Sequence, residues 1–186
     1  MGSTSEDPVL LVIDLQAGLV DPPAEAGPRS TPNLTTNVPK ILDHFRQQKW
    51  PVIHINHDDF DPEHHLNKDR YPVAFAPHAC SAPIEGEPML HKQTGSAFVD
   101  PKLGLADKIS SLGGPNADVV IIGMDGAQCV NDNTRSANDL GFKVTVIADA
   151  CATFGMEDYR DPTRQIGAEE THTAAISILK NGFRGL

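Results

Sequence analysis

Long apolar runs are missing from this chain. The runs present are five to seven residues long, and a bilayer-spanning helix needs roughly 20, so a membrane-embedded protein is excluded. Basic clusters are missing as well. With a formal net charge of -10 and no Lys/Arg-rich segment to override it, the chain repels phosphate backbones, which excludes nucleic acid as a partner. Cysteine is scarce: Cys80, Cys129 and Cys151 are odd in number and widely spaced. They make neither a disulfide framework nor a metal-binding CxxC pair, and a reducing, cytoplasmic location is expected. The N-terminus, Met1-Gly2-Ser3-Thr4-Ser5-Glu6-Asp7, has no basic n-region and no apolar h-region, so a standard secretory leader is not expected. Linkers rich in Ser and Gly, repeats and low-complexity segments are also lacking. The expected organisation is a flexible stretch over residues 1–7 followed by one domain over residues 8–186.

What is present is an alternation of short buried strands with amphipathic helices. Pro8 to Asp14 reads PVLLVID, an apolar run ending in a carboxylate, as in a strand buried on both faces with a polar residue at its C-terminal edge. Asn37-Val38-Pro39 is expected to open a helix, with Val38, Ile41, Leu42 and Phe45 on one face. Strands are predicted at Val52 to Asn56, Met89 to His91, Asp118 to Gly123 and Lys143 to Asp149. Helices are predicted at Leu103 to Leu112, Ala127 to Leu140 and Gly167 to Lys180, the last closed by Asn181-Gly182. Fifteen prolines and fifteen glycines imply long ordered loops, above all over residues 57–87. The fold class is therefore α/β: a single-domain three-layer sandwich in which a central, mostly parallel sheet is flanked by helices, in the Rossmann-like manner.

In such a sheet, ligands bind outside the carboxyl ends of the strands. Three reactive residues fall there: Asp14 after the first strand, Lys92 after the third and Cys129 after the fourth. Two readings of Cys129 compete. A thiol in the first turn of a helix meets unpaired N–H groups and the positive end of the helix dipole, which favour the thiolate nucleophile and a depressed pKa. A lone cysteine is also a small hydrophobe that fills cores. Likewise Asp14 alone can cap a neighbouring helix, and Lys92 alone can be a solvated surface cation. Together the three supply a base, a cation and a nucleophile, the set that covalent attack on a carbonyl requires.

Four blocks in order, Leu10 to Gln16 (LLVIDLQ), His91 to Phe98 (HKQTGSAF), Gly123 through Thr134-Arg135 with Cys129 inside it, and Val146 to Ala150 (VIADA), resemble the isochorismatase-like cysteine hydrolase superfamily. That superfamily includes nicotinamidases and other small-amide amidohydrolases, and the resemblance spans nearly the full length. It implies that Asp14, Lys92 and Cys129 form a catalytic triad and that the Met124–Asp125 peptide bond is cis. It further implies that the backbone N–H groups of Asp125 and Cys129 form an oxyanion hole and that the chemistry is amide hydrolysis through a thioester, without metal or organic cofactor. The implied partners are a small-molecule substrate and copies of the chain itself in a dimer or tetramer. Gln16, His57, Phe98 and Met124 are the expected substrate contacts.

The chain also departs from the family pattern. Several members carry threonine where Gly126 stands, and a small or apolar residue where Asp125 stands. A carboxylate there raises the thiol pKa if it points inward, binds a polar substrate group if it points along the pocket, or turns to solvent or its own backbone; the sequence does not choose. Nicotinamidases build a metal site from Asp-x-His and a later histidine after the second strand. This chain has Asn56-His57-Asp58-Asp59 and then His64-His65, the ligand types at the wrong spacing, so a solvated pocket-edge loop without a metal is expected. Isochorismatases cleave a vinyl ether with the aspartate as general acid and need no thiol. The dicarboxylate isochorismate calls for cations, whereas the 57–87 loop offers Lys68 and Arg70 among many more acids, so that chemistry ranks second. A catalytically silent binding relative is the third reading. Outside the triad, His172 is expected to be a buried structural histidine, and Cys151 a passive core thiol.

Overall fold

The computed structural model describes residues 7–158 and 160–180. The elements run β1 (Val9–Ile13), α1 (Ala17–Val20), α2 (Leu34–Gln48), β2 (Val52–His57), α3 (Pro72–Phe75), β3 (Met89–Lys92), α4 (Leu105–Gly113), β4 (Val119–Gly123), α5 (Cys129–Asp139), β5 (Val144–Cys151), β6 (Met156–Asp158), β7 (Asp161–Ile166) and α6 (Ala168–Lys180). Five strands form one parallel sheet in the order β3-β2-β1-β4-β5. This is the α/β architecture that the alternating pattern predicts. Among the described residues no helix is long and apolar enough to cross a membrane.

Every residue of β1 is buried, because successive side chains point to opposite faces and both faces are covered. Val9, Leu11 and Ile13 pack with Ile53, Ile55 and Ile121 against Leu105, Ile109 and Val130 of α4 and α5. Leu10 and Val12 pack with Val52 and Ile122 against Leu34, Val38, Leu42 and Phe45 of α2. The two clusters are the two interfaces of the three-layer sandwich.

Helix α2 begins at Leu34 rather than at Asn37, which corrects the expectation that Pro39 sits in its first turn. Leu34 is fully buried and lies one turn before Val38 and two before Leu42, so extending the helix backwards completes its apolar stripe. That burial offsets the one intrahelical hydrogen bond lost at Pro39. The β6–β7 hairpin was not expected from the sequence. Its segments, Met156-Glu157-Asp158 and Asp161 to Ile166, show no apolar alternation. Arg164 donates instead to Asp158 and Glu170, at 2.7 Å each. The Asn181-Gly182 stop signal and residues 1–6 of the expected flexible stretch lie outside the described residues.

One polar cluster ties the sheet to α2 from below. Glu87 accepts from Arg46 Nε (2.8 Å) and Nη2 (2.9 Å) and from the Ile84 N–H (3.0 Å), and it faces His54 Nε2 at 2.8 Å. Burial alone would raise the Glu87 pKa, but Arg46, Ile84 and His54 together hold it at about 2, against an ordinary 4.5. A carboxyl depressed in the fold stabilises above its unfolded pKa, and that contribution is lost as the pH falls. Urea unfolding should therefore find wild type more stable than Glu87→Gln at neutral pH, with the gap closing between pH 4.5 and about 2. A gap that does not vary over this interval would refute the assignment.

Candidate active site

Strand order brings the three reactive residues together. β1 lies between β2 and β4, with Ile13 paired to Ile55 on one side and Gly123 on the other. Asp14 leaves the end of β1 in the left-handed region (φ 48°), a conformation that aspartate tolerates better than most residues, while its N–H still reaches Ile55 O at 2.7 Å. Lys92 ends β3, in register with His57 at the end of β2. Its long side chain crosses the end of β2 to reach Asp14. On the other side, Gly123 (φ 143°) closes β4 so near to β1 that a side chain there would collide with the Ile13 carbonyl. Only glycine fits that approach, and the chain then runs through the cis Met124–Asp125 peptide bond to Cys129 at the start of α5.

Lys92 is fully buried, and its ammonium is the hub. Nζ lies 2.8 Å from Asp14 Oδ2, 3.2 Å from Cys129 Sγ and 3.4 Å from His57 Nδ1. His57 Nε2 faces Asp59 Oδ2 at 3.2 Å, an arrangement that places the imidazole proton on Nε2 and leaves Nδ1 to accept from Lys92. The contact between Lys92 and Asp14 is an ion pair rather than an aligned hydrogen bond, so both buried oxygens of Asp14 keep lone pairs. Burial alone would lower the Lys92 pKa, but Asp14 and Cys129 beside it raise it above the ordinary value.

The thiol behaves differently from the sequence expectation. Burial first, and then the charge of Asp14, push Cys129 up to about 12 in spite of Lys92. The helix end offers only a partial charge, equivalent to about half a unit, and it faces a full carboxylate in a desolvated site. The resting nucleophile is therefore a thiol beside a carboxylate, not a free thiolate.

Asp125 is 8% exposed, and of the three orientations open to its carboxylate it takes the one toward its own backbone. It accepts from Ala127 N (2.8 Å), Phe154 N (3.0 Å) and, at very short range, the Thr153 hydroxyl. It thus satisfies an N–H just before α5 and ties that loop to the end of β5. The other loop donors are engaged too, Gly126 N by Ala152 O (2.8 Å) and Gln128 N and Val130 N by Asp125 O (3.1 and 3.0 Å). Asn133, one turn after Cys129, accepts from Ala97 N (3.0 Å) and donates to Cys129 O (2.8 Å), pinning α5 to the loop after β3.

Asp14 and Cys129 open onto a cavity of about 670 Å³, with Lys92 behind them. Its walls include Leu19 of α1, Pro22, Pro23 and Glu25 of the proline-rich loop, His57 at the end of β2, Asp59, His64 and His65 beyond it, Gly95, and Gln128, Asp132 and Phe154. Of the four expected substrate contacts, only His57 lies in this wall. Gln16 is buried and clamps the strand ends, donating to His57 O and Phe75 O (3.0 Å each) and accepting from His57 N (2.9 Å). Phe98 packs against the α4/α5 face of the core and Phe142, with ring centroids 6.0 Å apart. Met124 is fully buried on the opposite face. None of these three is among the residues lining the cavity. His172 is half-buried, with its Nδ1 enclosed and unpartnered among the described residues. Among the described residues no group of three His, Cys, Asp or Glu side chains is disposed to hold a metal ion.

Asp132 and Asn133 are the site residues that sequence reasoning missed, although their spacing from Cys129 carries a signal. Positions three and four residues on from a helical nucleophile share its face. Glu25 gave no signal, because its loop is placed only by tertiary packing.

The raised thiol has a sign that can be measured. Asp14→Asn removes a negative charge while Lys92 remains, so the Cys129 pKa should fall. The pH profile of iodoacetamide alkylation at Cys129, followed by intact mass, should move to lower pH in the variant. A profile that stays in place or moves upward would mean that Asp14 does not govern the thiol.

Known proteins share this arrangement of elements. The family model "Isochorismatase domain" matches residues 8–181. The uncharacterized isochorismatase family protein YrdC of Bacillus subtilis is 30% identical over 178 residues, covering 96% of this chain and 90% of its own. A crystal structure of an isochorismatase-family protein from Chromobacterium violaceum superposes with a TM-score of 0.82 at 30% identity, over 96% of this chain and 88% of the other. The N-carbamoylsarcosine amidase of Thermoplasma acidophilum, at 22% identity and a TM-score of 0.63 over 79% of this chain and 84% of its own, shares the fold. The chain belongs to the isochorismatase family.

Proposed function

We propose that this protein is a cysteine hydrolase that cleaves the C–N bond of a small amide through a Cys129 thioester. The observation that carries the reading is the buried Lys92 ammonium in contact with both Asp14 (2.8 Å) and Cys129 (3.2 Å) at the floor of the cavity.

Asp14 takes the Cys129 proton as the sulfur attacks the substrate carbonyl, so the C–S bond forms while the C=O pair moves onto oxygen. The raised thiol pKa suits this order, since the proton leaves the sulfur only as the new bond forms. The oxyanion is received by the N–H groups of Asp125 and Cys129, which are absent from the hydrogen bonds that tie down the rest of the loop among the described residues. Collapse of the tetrahedral species breaks the C–N bond, and Asp14 returns its proton to the departing amine. Asp14 then removes a proton from water, the hydroxide attacks the thioester, and the thiolate leaves and is reprotonated by Asp14. Lys92 keeps its charge throughout and stabilises whichever neighbour is anionic.

With a panel of small primary amides, wild type should show turnover and a mass adduct on Cys129 after rapid quenching. Cys129→Ala should lose activity by about 10³-fold or more, the order seen when a covalent nucleophile is removed. Retained activity in Cys129→Ala with loss in Asp14→Asn would replace this reading with aspartate-driven ether hydrolysis.

A further inference from the structure

The charges in the cavity wall are unequal in sign. Asp14, Glu25, Asp59, Asp125 and Asp132 line it, while among the described residues the lining holds no arginine or lysine and Lys92 is buried behind Asp14. Three of the five acids are engaged: Asp14 by Lys92, Asp59 by His57 and His64 at 3.2 and 3.5 Å, and Asp125 by Ala127, Thr153 and Phe154. Asp132 and Glu25 have no ion pair or side-chain hydrogen bond among the described residues. The third histidine of the wall, His65, has its pKa lowered by burial and by His64, which disfavours a positive charge there.

Asp132 is exposed to solvent at the cavity edge. It lies one helical turn beyond Cys129 and faces Gly95 across the cavity edge, where any Cβ would collide with Asp132 Oδ2. The bare glycine therefore makes the room that the carboxylate occupies. On a helix, side chains three positions apart have Cβ atoms about 5–6 Å from each other, so a group held by Asp132 lies a few bonds from a carbonyl attacked by Cys129.

Resting on the amide-hydrolase reading above, we infer that the substrate is cationic: a small amide with an ammonium or guanidinium group about three to five bonds from the scissile carbonyl, a span set by that helical spacing. Asp132 holds the cation, and Glu25 of the proline-rich loop lines the same cavity. The net charge of -10 adds to the attraction of cations toward the cleft. A dicarboxylate such as isochorismate meets repulsion at the same wall.

The test is a matched set of amides of equal length ending in an ammonium, a hydroxyl or a carboxylate. Wild-type kcat/KM should fall in that order, with about tenfold between the cation and its neutral match, the order of one partly solvated charge pair. Asp132→Asn should collapse that ratio through KM and flatten its dependence on salt. Calorimetric binding of the same set to Cys129→Ala gives a readout independent of turnover and should show the same order. Equal or reversed preference in binding, or a ratio unchanged in Asp132→Asn, overturns the inference and leaves the amide-hydrolase reading standing. Charge preference in binding without a Cys129 adduct from any member of the set overturns the amide-hydrolase reading instead, and with it the assignment of these cations as substrates.

Discussion

A lysine with no solvent exposure is the constraint around which this structure is arranged. Removing an ammonium from water costs several kcal/mol even after relaxation, and a close anion offsets that cost. Lys92 reaches that state because β3 delivers it, β2 lies beneath its side chain and β1 ends in Asp14 at 2.8 Å. Remove any one of these strands from the order and a buried charge is left unpaired. Fold and site are in this sense the same object. The charges of the sheet's C-terminal edge meet in one buried ion pair, and the cavity opens over it.

The same constraint explains the chain's small residues around the site. Gly123 lets β4 approach the Ile13 carbonyl closely, which brings the start of α5, and with it Cys129, over the ion pair. Gln16 locks the ends of β1 and β2 by bonding both the N–H and the carbonyl of His57. His57 in turn presents Nδ1 to Lys92 while Asp59 fixes its other nitrogen. Asp125 does for the nucleophile loop what Gln16 does for the strand ends. Each of these side chains acts by holding another in place, and a site held this way needs little reorganisation as charge develops.

Much of this was legible in the sequence because it depends on period and order. Short apolar runs ending in Asp14, Lys92 and Gly123 announce buried parallel strands, and buried parallel strands put their C-terminal residues on one edge. What was not legible depends on distance. Whether Phe98 faces a pocket or Phe142, and whether Asp125 faces substrate or Thr153, is settled by contacts between residues far apart in the chain. Burial of Leu34 overrode the proline signal at Pro39 for the same reason. The hairpin of β6 and β7 escaped because its pairing is reinforced by Arg164 and Asp158 rather than by any apolar pattern.

The thiol shows how far a local rule can be carried. A helix start lowers a cysteine pKa when the site is open and no other charge competes. Here the competitor is a whole carboxylate in a desolvated pocket, and it outweighs the partial charge of the helix, leaving Cys129 at about 12. This is consistent with the chemistry rather than opposed to it. In the proposed mechanism the proton leaves the sulfur for Asp14 only as the new bond forms, with Lys92 attracting whichever of the two is charged. A permanently ionised sulfur would gain nothing from Asp14 and would deprive the leaving amine of its proton donor. The protonated resting thiol, the buried lysine and the strand order that joins them all follow from placing one buried ion pair at the C-terminal edge of the sheet.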